Sequence, residues 1–295
     1  MTKQFISPVD PAEPSIQHLR FSPSQLDVWD RCHKKGYYVY RQGYRGTINS
    51  PAMRKGTVIH KALELKYRDK WTLIELMENM ETVFPLYEDQ VALQSIIGTL
   101  YRYEAYYATR DDSFTTLAVE SSLCVPFVTP EGRTVYLNGI IDLIGETSDG
   151  KLFVMDHKST SRGFWTKDSV WFDRQLHIYA AMLYLMGYDP EIGVINNINT
   201  GLNPKTNAAH SLFARVTAEI SVSKLQRYLT DIGHRIDQIL SYTTFPRNLN
   251  KSCGECQFKD ACALALEGVD ETDFLESNFR DVVQAEGFEL VYTKE

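Results

Sequence analysis

Residues 134–158 read T-V-Y-L-N-G-I-I-D-L-I-G-E-T-S-D-G-K-L-F-V-M-D-H-K. Two stretches rich in β-branched and apolar residues flank T-S-D-G, which is typical of a turn. We predict a β-hairpin with a three-residue loop at 148–150, in which opposed residues have numbers that add up to 298. Asp142 and Asp156 would then face each other, with Cβ atoms about 4.5–5.5 Å apart. A shift of one residue would point them to opposite faces of the sheet.

This predicted pair of carboxylates indicates a metal-dependent chemistry. Two like charges so close are strongly disfavoured in a half-buried site, and hard Mg²⁺ or Mn²⁺ relieves the repulsion because it prefers oxygen ligands. Residues two apart on a strand share a face, so Lys158 projects beside Asp156, while the backbone carbonyl of His157 stays available to a metal. Together these groups suit hydrolysis of a phosphodiester. The alternative for D-x-K alone is a surface ion pair at a strand end.

Two further motifs accompany the hairpin. D-R-Q-L-H-I-Y-A-A-M-L places Gln175 and Tyr179 on one face of a predicted helix. G-T-V-I-H places His60 near the start of another helix, where a histidine among apolar neighbours can also be a simple core residue. The ordered set G-x-x-x-H, G-x-x-D, D-x-K and Q-x-x-x-Y is harder to obtain by chance than any one of its members.

These motifs, at 56–60, 139–142, 156–158 and 175–179, resemble those of RecB-family nucleases of the PD-(D/E)XK superfamily, over about residues 20–265. The resemblance implies an α/β fold with a restriction-endonuclease-like core, a mixed β-sheet flanked by helices. One departure is Ile141, which stands where the superfamily's name has proline.

The resemblance also implies roles for individual residues. Mg²⁺ or Mn²⁺ would be bound by His60, Asp142, Asp156 and the backbone carbonyl of His157. The catalytic residues would be Asp142, Asp156, Lys158, Gln175 and Tyr179. Within that set Lys158 would act on the nucleophile or the developing charge, and Gln175 and Tyr179 would line the path of the DNA strand.

The rest of the chain also reads as α/β. Ser22 and Gln25 form a capping box with Pro23 at the first helical position, and this helix is predicted to run to about Lys34 with Cys32 near its end. A second helix is predicted from near Thr57. Further helices are predicted at 72–108, 173–187 and 222–241, and strands at 117–128, 134–145, 151–157 and 191–198. This order predicts a mixed sheet in an α/β domain.

The chain has five cysteines, and three of them form the motif C-G-E-C-Q-F-K-D-A-C. In a chain without an export signal this pattern indicates a metal or cofactor rather than disulfides. Cys124 lies in an apolar strand and is predicted to be a buried small hydrophobe, which leaves Cys32 as a distant fourth ligand. The spacing alone leaves zinc and an iron–sulfur cluster equally open.

The family resemblance favours iron. AddB-type nuclease domains and RecB-like exonucleases of CRISPR systems have one cysteine before the first motif and C-x₂-C-x₅-C after the last. This implies a [4Fe–4S] cluster, bound as an N-/C-terminal clamp by Cys32, Cys253, Cys256 and Cys262. Closing so long a loop would contribute on the order of 4–5 kcal/mol. A structural role is favoured over a redox-sensing one.

Charge is distributed unevenly along the chain. The net charge is −7, yet residues 31–70 carry eleven Lys and Arg against two acids, interleaved with tyrosines. Such a mixture grips phosphates and stacks bases, although a solvated surface is the simpler alternative. The predicted DNA-binding residues are Arg31, Lys34, Lys35, Arg41 and Arg45, together with Gln175 and Tyr179. Residues 267–295 carry nine acids, which either solvate the chain end or shield the basic face.

Composition bounds the rest of the interpretation. The 295 residues hold no run of about 18–20 apolar residues that could span a membrane, and the first residues lack the apolar core of a signal peptide. We therefore expect a cytoplasmic protein without a membrane partner. The predicted organisation is a flexible segment at 1–20, a single nuclease domain with its clamp at 21–265, and an acidic tail at 266–295.

We expect a metal-dependent DNA exonuclease that acts on single-stranded DNA, or on DNA with a free end, in recombination, repair or replication. The phosphate-binding motif G-x-x-x-x-G-K-[ST] of helicases is missing, so a separate helicase or recombination partner could accompany the protein. The alternatives are a structure-specific endonuclease and a catalytically idle iron–sulfur scaffold that binds DNA.

Overall fold

The computed structural model describes residues 5–10, 13, 16, 19–46, 51–78, 90–108, 110, 114–160, 165–200 and 213–281. The chain forms two compact units. Unit 1 comprises residues 1–8, 50–125 and 139–229, and unit 2 comprises residues 9–49, 126–138 and 230–295. The domain boundaries predicted from the sequence, at 20 and 265, stay a prediction.

The strands are β1 Arg20–Phe21, β2 Tyr44–Arg45, β3 Phe114–Val128, β4 Thr134–Thr147, β5 Leu152–Thr160, β6 Pro190–Asn199, β7 Phe213–Glu219 and β8 Arg280–Asp281. The helices are α1 Pro23–Arg31, α2 His33–Tyr40, α3 Pro51–Arg68, α4 Leu73–Glu78, α5 Gln90–Tyr107, α6 Lys167–Trp171, α7 Arg174–Leu185, α8 Val222–Ser241, α9 Lys259–Leu266 and α10 Thr272–Asn278. A short 3₁₀ helix covers Lys251–Glu255.

The predicted hairpin and its register are confirmed. Strands β4 and β5 pair antiparallel from Glu146↔Leu152 to Leu143↔Met155, and the numbers of each pair add up to 298. Hydrogen bonds close the predicted loop: the N–H of Thr147 donates to the carbonyl of Lys151 at 3.0 Å, and that of Gly150 to the carbonyl of Thr147 at 2.9 Å. Gly150 has φ +83°, a conformation that glycine adopts without a steric cost.

The sheet of unit 1 is mixed, as predicted. β5 pairs parallel to β6, β6 pairs antiparallel to β7, and β3 pairs with β4. Side chains alternate along β5: Phe153 and Met155 join a core built with α3, α4 and α5, whereas Lys158 reaches α7 on the other face. The sheet therefore lies between helices. One face of β5 packs against the core with α3, α4 and α5, and the other face contacts α7.

Some predicted elements differ in their bounds. α1 ends at Arg31 rather than near Lys34, because Cys32 is extended (φ −164°, ψ 118°) and separates α1 from α2. α3 begins at Pro51 rather than near Thr57. The helical region predicted at 72–108 contains α4 and α5, and residues 79–89 between them lie outside the described residues. β7 and the elements after residue 250 were not predicted.

Unit 2 has its own core. β1 pairs parallel with the start of β4, and the Ser22 side chain accepts the N–H of Gln25 at 3.2 Å, as the predicted helix cap requires. The buried core residues are Tyr38, Val39, Tyr44, Phe258, Ala261 and Leu275. Leu275 belongs to the segment predicted as an acidic tail, so the first part of that segment is folded, while residues 282–295 lie outside the described residues. In the described residues no helix is long and apolar enough to cross a membrane.

Candidate active site

Four of the predicted residues form a chain of contacts between β5 and α7. Lys158 Nζ lies 2.7 Å from Asp156 Oδ2, and it also donates to Gln175 Oε1 at 2.6 Å. Gln175 Nε2 in turn donates to the hydroxyl of Tyr179 at 2.7 Å. The two members on α7 lie one helical turn apart, which is why one face of this helix can hold both. The ammonium group is therefore held from two sides.

The glycine of the G-x-x-D motif makes room for this chain. A Cβ atom added to Gly139 would lie 2.7 Å from Cε1 of the Tyr179 ring. Real Cβ atoms do not approach so closely, so any other residue at this position would displace the ring. The motif thus combines a close approach of α7 to β4 with the carboxylate of Asp142 three residues later.

Asp142 is buried and both of its oxygens have partners. Oδ1 lies 3.4 Å from Nδ1 of His60 on α3, and Oδ2 accepts the backbone N–H of His157 at 2.6 Å. The last bond forms just beyond the paired ladder of β4 and β5. The predicted register therefore brings the two strands together where the D-x-K motif begins.

Glu120 on β3 is a candidate site residue that the sequence analysis missed. Ligand atoms of His60, Glu120 and Asp142 all lie within 4.8 Å of one another, close enough to bind one metal ion. Glu120 also has φ +48°, a left-handed conformation that is rare outside glycine and concentrates at functional sites. The available signal was a lone acid in the apolar stretch L-A-V-E-S-S-L.

The electrostatics of Asp142 and His60 favour an ion pair. Burial raises the pKa of Asp142, but the hydrogen bond with His60, the charge of the His60 ring and the backbone N–H of His157 outweigh it and keep this pKa below its ordinary value. Burial lowers the pKa of His60, whereas its bond to Asp142 and the charges of both aspartates raise it, so the net shift is upward. The first carboxylate of the site is thus ionised near neutral pH.

Asp156 and Glu120 behave differently. Burial is the main reason that the pKa of Asp156 rises to about 7, because the nearby Lys158 lowers it only in part and Asp142 raises it further. Burial likewise raises the pKa of Glu120 to about 7, with a further contribution from Asp142. For Lys158, burial opposes the charged form, but the carboxylate of Asp156 outweighs it and raises the pKa. A bound cation would favour the ionised form of both acids.

The ring of His157 points away from the carboxylates into a buried polar network. Its Nδ1 lies 2.9 Å from Nδ2 of Asn196, which also donates to the hydroxyl of Tyr103 at 2.9 Å. That hydroxyl lies 2.9 Å from the hydroxyl of Tyr67, and Arg215 Nη2 donates to both, at 3.3 Å and 2.8 Å. Burial lowers the pKa of His157 to about 4, so the ring is neutral. The network fixes the backbone at the residue whose carbonyl was predicted to bind metal.

The structure thus brings His60 and Asp142 together with Glu120, and Asp156 together with Lys158, Gln175 and Tyr179. Asp156 is not a member of the three-residue group that could hold a metal. Convergence of Asp142 and Asp156 on one ion stays a prediction. The donors of the group are one imidazole and two carboxylates, a set that fits Mg²⁺ or Mn²⁺.

The predicted DNA-binding residues from the basic stretch lie in unit 2. Lys34 pairs with Glu271 at 3.0 Å, so part of the acidic segment neutralises part of the basic one. The guanidinium of Arg41 donates to the carbonyl of Ile239 at 3.4 Å, and that of Arg45 lies 5.0 Å from the centre of the Tyr40 ring. A role for these residues in binding DNA stays a prediction.

The four predicted cluster ligands share a cavity of about 340 Å³ in unit 2. Its lining includes Cys32, Cys253, Cys256, Cys262, Arg31, Lys35 and Arg247. Among the described residues no three thiols lie within 4.8 Å of one another, so the ligand set is not preassembled. The fifth cysteine, Cys124, is fully buried in unit 1, in agreement with the prediction that it is a core residue.

Comparisons with known proteins extend the argument beyond this geometry. The crystal structure of a candidate exonuclease from Eubacterium rectale matches with a TM-score of 0.50 at 12% identity, over 86% of this chain and 94% of that chain. The crystal structure of SSO0001 matches with a TM-score of 0.37 at 12% identity, over 82% and 84% of the two chains. At such identities the likeness concerns the fold alone. No curated protein matches the sequence significantly.

The sequence itself is more informative. The sequence model of the PD-(D/E)XK nuclease superfamily matches residues 20–263, a span that includes the hairpin, the helix with Gln175 and all four predicted cluster cysteines. The mixed sheet flanked by helices has the architecture that this family implies. The chain belongs to the PD-(D/E)XK nuclease superfamily.

Proposed function

We propose that this protein is a metal-dependent DNA exonuclease that hydrolyses phosphodiester bonds of single-stranded DNA. The observation that carries the proposal is that two groups of side chains lie together at the end of β5. One is the group of His60, Glu120 and Asp142, with ligand atoms within 4.8 Å of one another. The other is the ammonium of Lys158, held 2.7 Å from Asp156.

A divalent cation would be held by His60, Asp142 and Glu120, with Asp156 and the carbonyl of His157 as further ligands. When bound, such a cation supplies a nucleophile at neutral pH and neutralises charge on the phosphate. The residues present fit it, because the buried carboxyl of Asp156 and the half-buried carboxyl of Glu120, both with raised pKa values, gain a positive partner there. The proposed cation is Mg²⁺ or Mn²⁺.

Lys158 would stabilise negative charge that develops on the phosphate. Its own charged state is secured by Asp156, and its position by the amide oxygen of Gln175. Gln175 is in turn fixed by Tyr179, so the donor is oriented before the substrate arrives. Preorganised donors of this kind account for a large part of catalysis, since no reorganisation is needed during the reaction.

We further propose that the chain is a RecB-type, AddB-like member with a [4Fe–4S] cluster bound by its four clamp cysteines. The shared cavity of about 340 Å³ supports this proposal. A single tetrahedral zinc would need sulfurs about 3.8 Å apart. In the described residues no three thiols lie within 4.8 Å of one another, so the support for a cluster comes from the shared cavity and from the spacing of the cysteines.

The test is degradation of end-labelled single-stranded DNA in Mn²⁺ by the wild type and by Asp156→Ala. We expect progressive shortening by the wild type and none by the variant. Equal cleavage by both proteins, or cleavage by neither, would contradict the proposal. Circular single-stranded DNA separates an exonuclease, which leaves it intact, from a structure-specific endonuclease.

An idle scaffold that binds DNA is less favoured, because Asp142, Asp156 and Lys158 are all present and in contact with partners. Oligonucleotides blocked at the 5′ or the 3′ end would reveal the polarity of digestion. A role in recombination, repair or replication, a helicase or recombination partner and a cytoplasmic location remain proposals from the sequence.

A further inference from the structure

Two large apolar side chains of unit 1 lie in water next to the candidate active site. Trp171 is 40% exposed and Phe172, the next residue, is 80% exposed. Trp171 is the last residue of α6, and Phe172 lies between it and Asp173, which caps α7. Adjacent exposed aromatic side chains contribute little to a core, and they commonly mark a binding surface.

A lysine accompanies this pair. Lys224 Nζ lies 3.3 Å from the centre of the Trp171 ring and 3.3 Å from the backbone oxygen of the same residue. Partial burial lowers the pKa of this ammonium group. The surface therefore combines two aromatic rings with a positive charge held by one of them.

The backbone that carries the pair is well fixed. Thr166 and Ser169 form a capping box at the start of α6, and Val170 is buried. The N–H of Phe172 donates to the carbonyl of Asp168 at 3.2 Å. On the other side, the carboxylate of Asp173 accepts the N–H of Leu176 at 2.8 Å. The rings are thus presented by a defined turn between two helices.

This turn lies close to the candidate catalytic residues. Phe172 precedes Gln175 by three residues, so their Cα atoms are at most about 11 Å apart. Gln175 in turn accepts a hydrogen bond from Lys158. At about 3.4 Å per stacked nucleotide, this distance corresponds to about three nucleotides.

We propose that Trp171 and Phe172 form a stacking platform for bases of single-stranded DNA, within about three nucleotides of the phosphate at Lys158. The inference rests on the proposed function and deepens it. Aromatic stacking is tolerant of sequence, because every base has a π face, and Lys224 would pair with the phosphate backbone. The platform would hold the strand next to the scissile bond.

The test measures equilibrium binding of fluorescein-labelled dT12 and of an abasic oligonucleotide of equal length to the full chain in EDTA. We expect Phe172→Ala to weaken binding of dT12 about tenfold, which is within the range for loss of one stacked base, and to leave the abasic affinity unchanged. Phe172→Trp should retain the wild-type preference for bases. Lys224→Gln should reduce the salt dependence by about 0.7 in the log–log slope.

Tyr101 on α5 provides the matched control, since its ring is 63% exposed and Tyr101→Ala should alter neither affinity. Three outcomes overturn the platform: dT12 affinity unchanged in Phe172→Ala, equal loss for both oligonucleotides, or equal loss in Tyr101→Ala. If DNA is still cleaved in Mn²⁺, the proposed function survives such a result. A wild type that neither binds nor cleaves DNA overturns both.

Discussion

The two candidate functional regions of this chain are organised in opposite ways. In unit 1 the candidate catalytic residues already contact one another: His60 and Asp142 at 3.4 Å, and Lys158 with Asp156 at 2.7 Å. In unit 2 the four clamp thiols line a common cavity, and among the described residues no three of them lie within 4.8 Å. One region is held together by hydrogen bonds and ion pairs, and in the other the thiols share a cavity lining without forming a close group.

The difference predicts how each region depends on its inorganic group. A site whose side chains hold one another keeps its geometry without the metal, so loss of the metal should remove activity and leave stability largely intact. If the four thiols of unit 2 bind the proposed cluster, the free energy of binding it contributes to the free energy of folding. Substitutions in the two regions should therefore differ in whether they affect stability or activity.

The largest effect is expected from Cys256→Ser. If the cluster links Cys32 to the C-terminal cysteines, its loss removes on the order of 4–5 kcal/mol from the free energy of unfolding. For a chain of this size the melting temperature should fall by roughly 10 °C or more. The brown colour and the bound iron of the anaerobically purified protein should be lost with it.

Cys124→Ala is the matched control, because this cysteine is fully buried but lies outside the clamp. It should keep its iron content. Stoichiometric zinc without iron in the wild type would contradict the cluster assignment, and an iron-free protein as stable as the wild type would contradict its structural role.

Next in size is Lys158→Ala, which removes the positioned ammonium but no part of the core. We expect the rate of cleavage in Mn²⁺ to fall about 10²–10³-fold, as for loss of one preorganised donor. Lys151→Ala is the control in the same hairpin, where the lysine is half exposed and paired with Asp149 at 3.0 Å. Similar rates for both variants would remove Lys158 from the mechanism.

A smaller effect is expected from Gly139→Ala. The added methyl group would lie 2.7 Å from the ring of Tyr179 and push it from its bond with Gln175. Overpacking of this kind costs about 1–3 kcal/mol, and the cleavage rate should fall as well. Gly98→Ala is the control, because its Cβ would meet only a side-chain atom at 3.6 Å. Thermal unfolding and rates of both variants decide whether this close approach matters.

The smallest effect concerns pH. Asp156 and Glu120 both have pKa values raised to about 7, and they must lose their protons to hold a cation. The apparent affinity for Mn²⁺, measured by calorimetry, should rise between pH 6 and 8, by about tenfold per pH unit for each proton released below pH 7. Glu120→Gln should flatten this dependence, and an affinity that does not change with pH would contradict it.

The carboxyl groups of Asp156 and Glu120 also determine whether the stability of the folded chain rises or falls with pH. Because the folded metal-free chain retains protons that the unfolded chain loses above pH 4 or so, this contribution to stability is present at about pH 4 and is lost as pH rises through about 7. Mn²⁺ should therefore raise the melting temperature more at pH 8 than at pH 6.

Much of this arrangement could be predicted from local sequence. The turn signal T-S-D-G set the loop length of the hairpin, and the loop length set the register that brings Asp142 next to the backbone of His157. α8, at Val222–Ser241, also has the predicted bounds, since its apolar positions recur with helical spacing over 20 residues.

The residues that were missed depend on contacts between distant segments. Glu120 reaches Asp142 from another strand, and its one local signal is that it is a lone acid in an apolar stretch. Arg215 reaches Tyr67 across about half the chain and has no local signal. β7 is seven residues long and contains no apolar run longer than two residues, so it was not recognised on its own. Because the residues after Cys32 favour a helix, the break between α1 and α2 was not predicted. This break depends on tertiary structure.

Glu120 has a consequence for how this protein could be improved or damaged. The left-handed backbone of Glu120 costs about 1 kcal/mol that glycine would not incur, so Glu120→Gly should raise the free energy of unfolding. The same change removes a carboxylate from the group with His60 and Asp142. A search for heat-resistant variants alone would therefore select against this proposed metal ligand, and a screen of the protein needs activity and stability to be scored together.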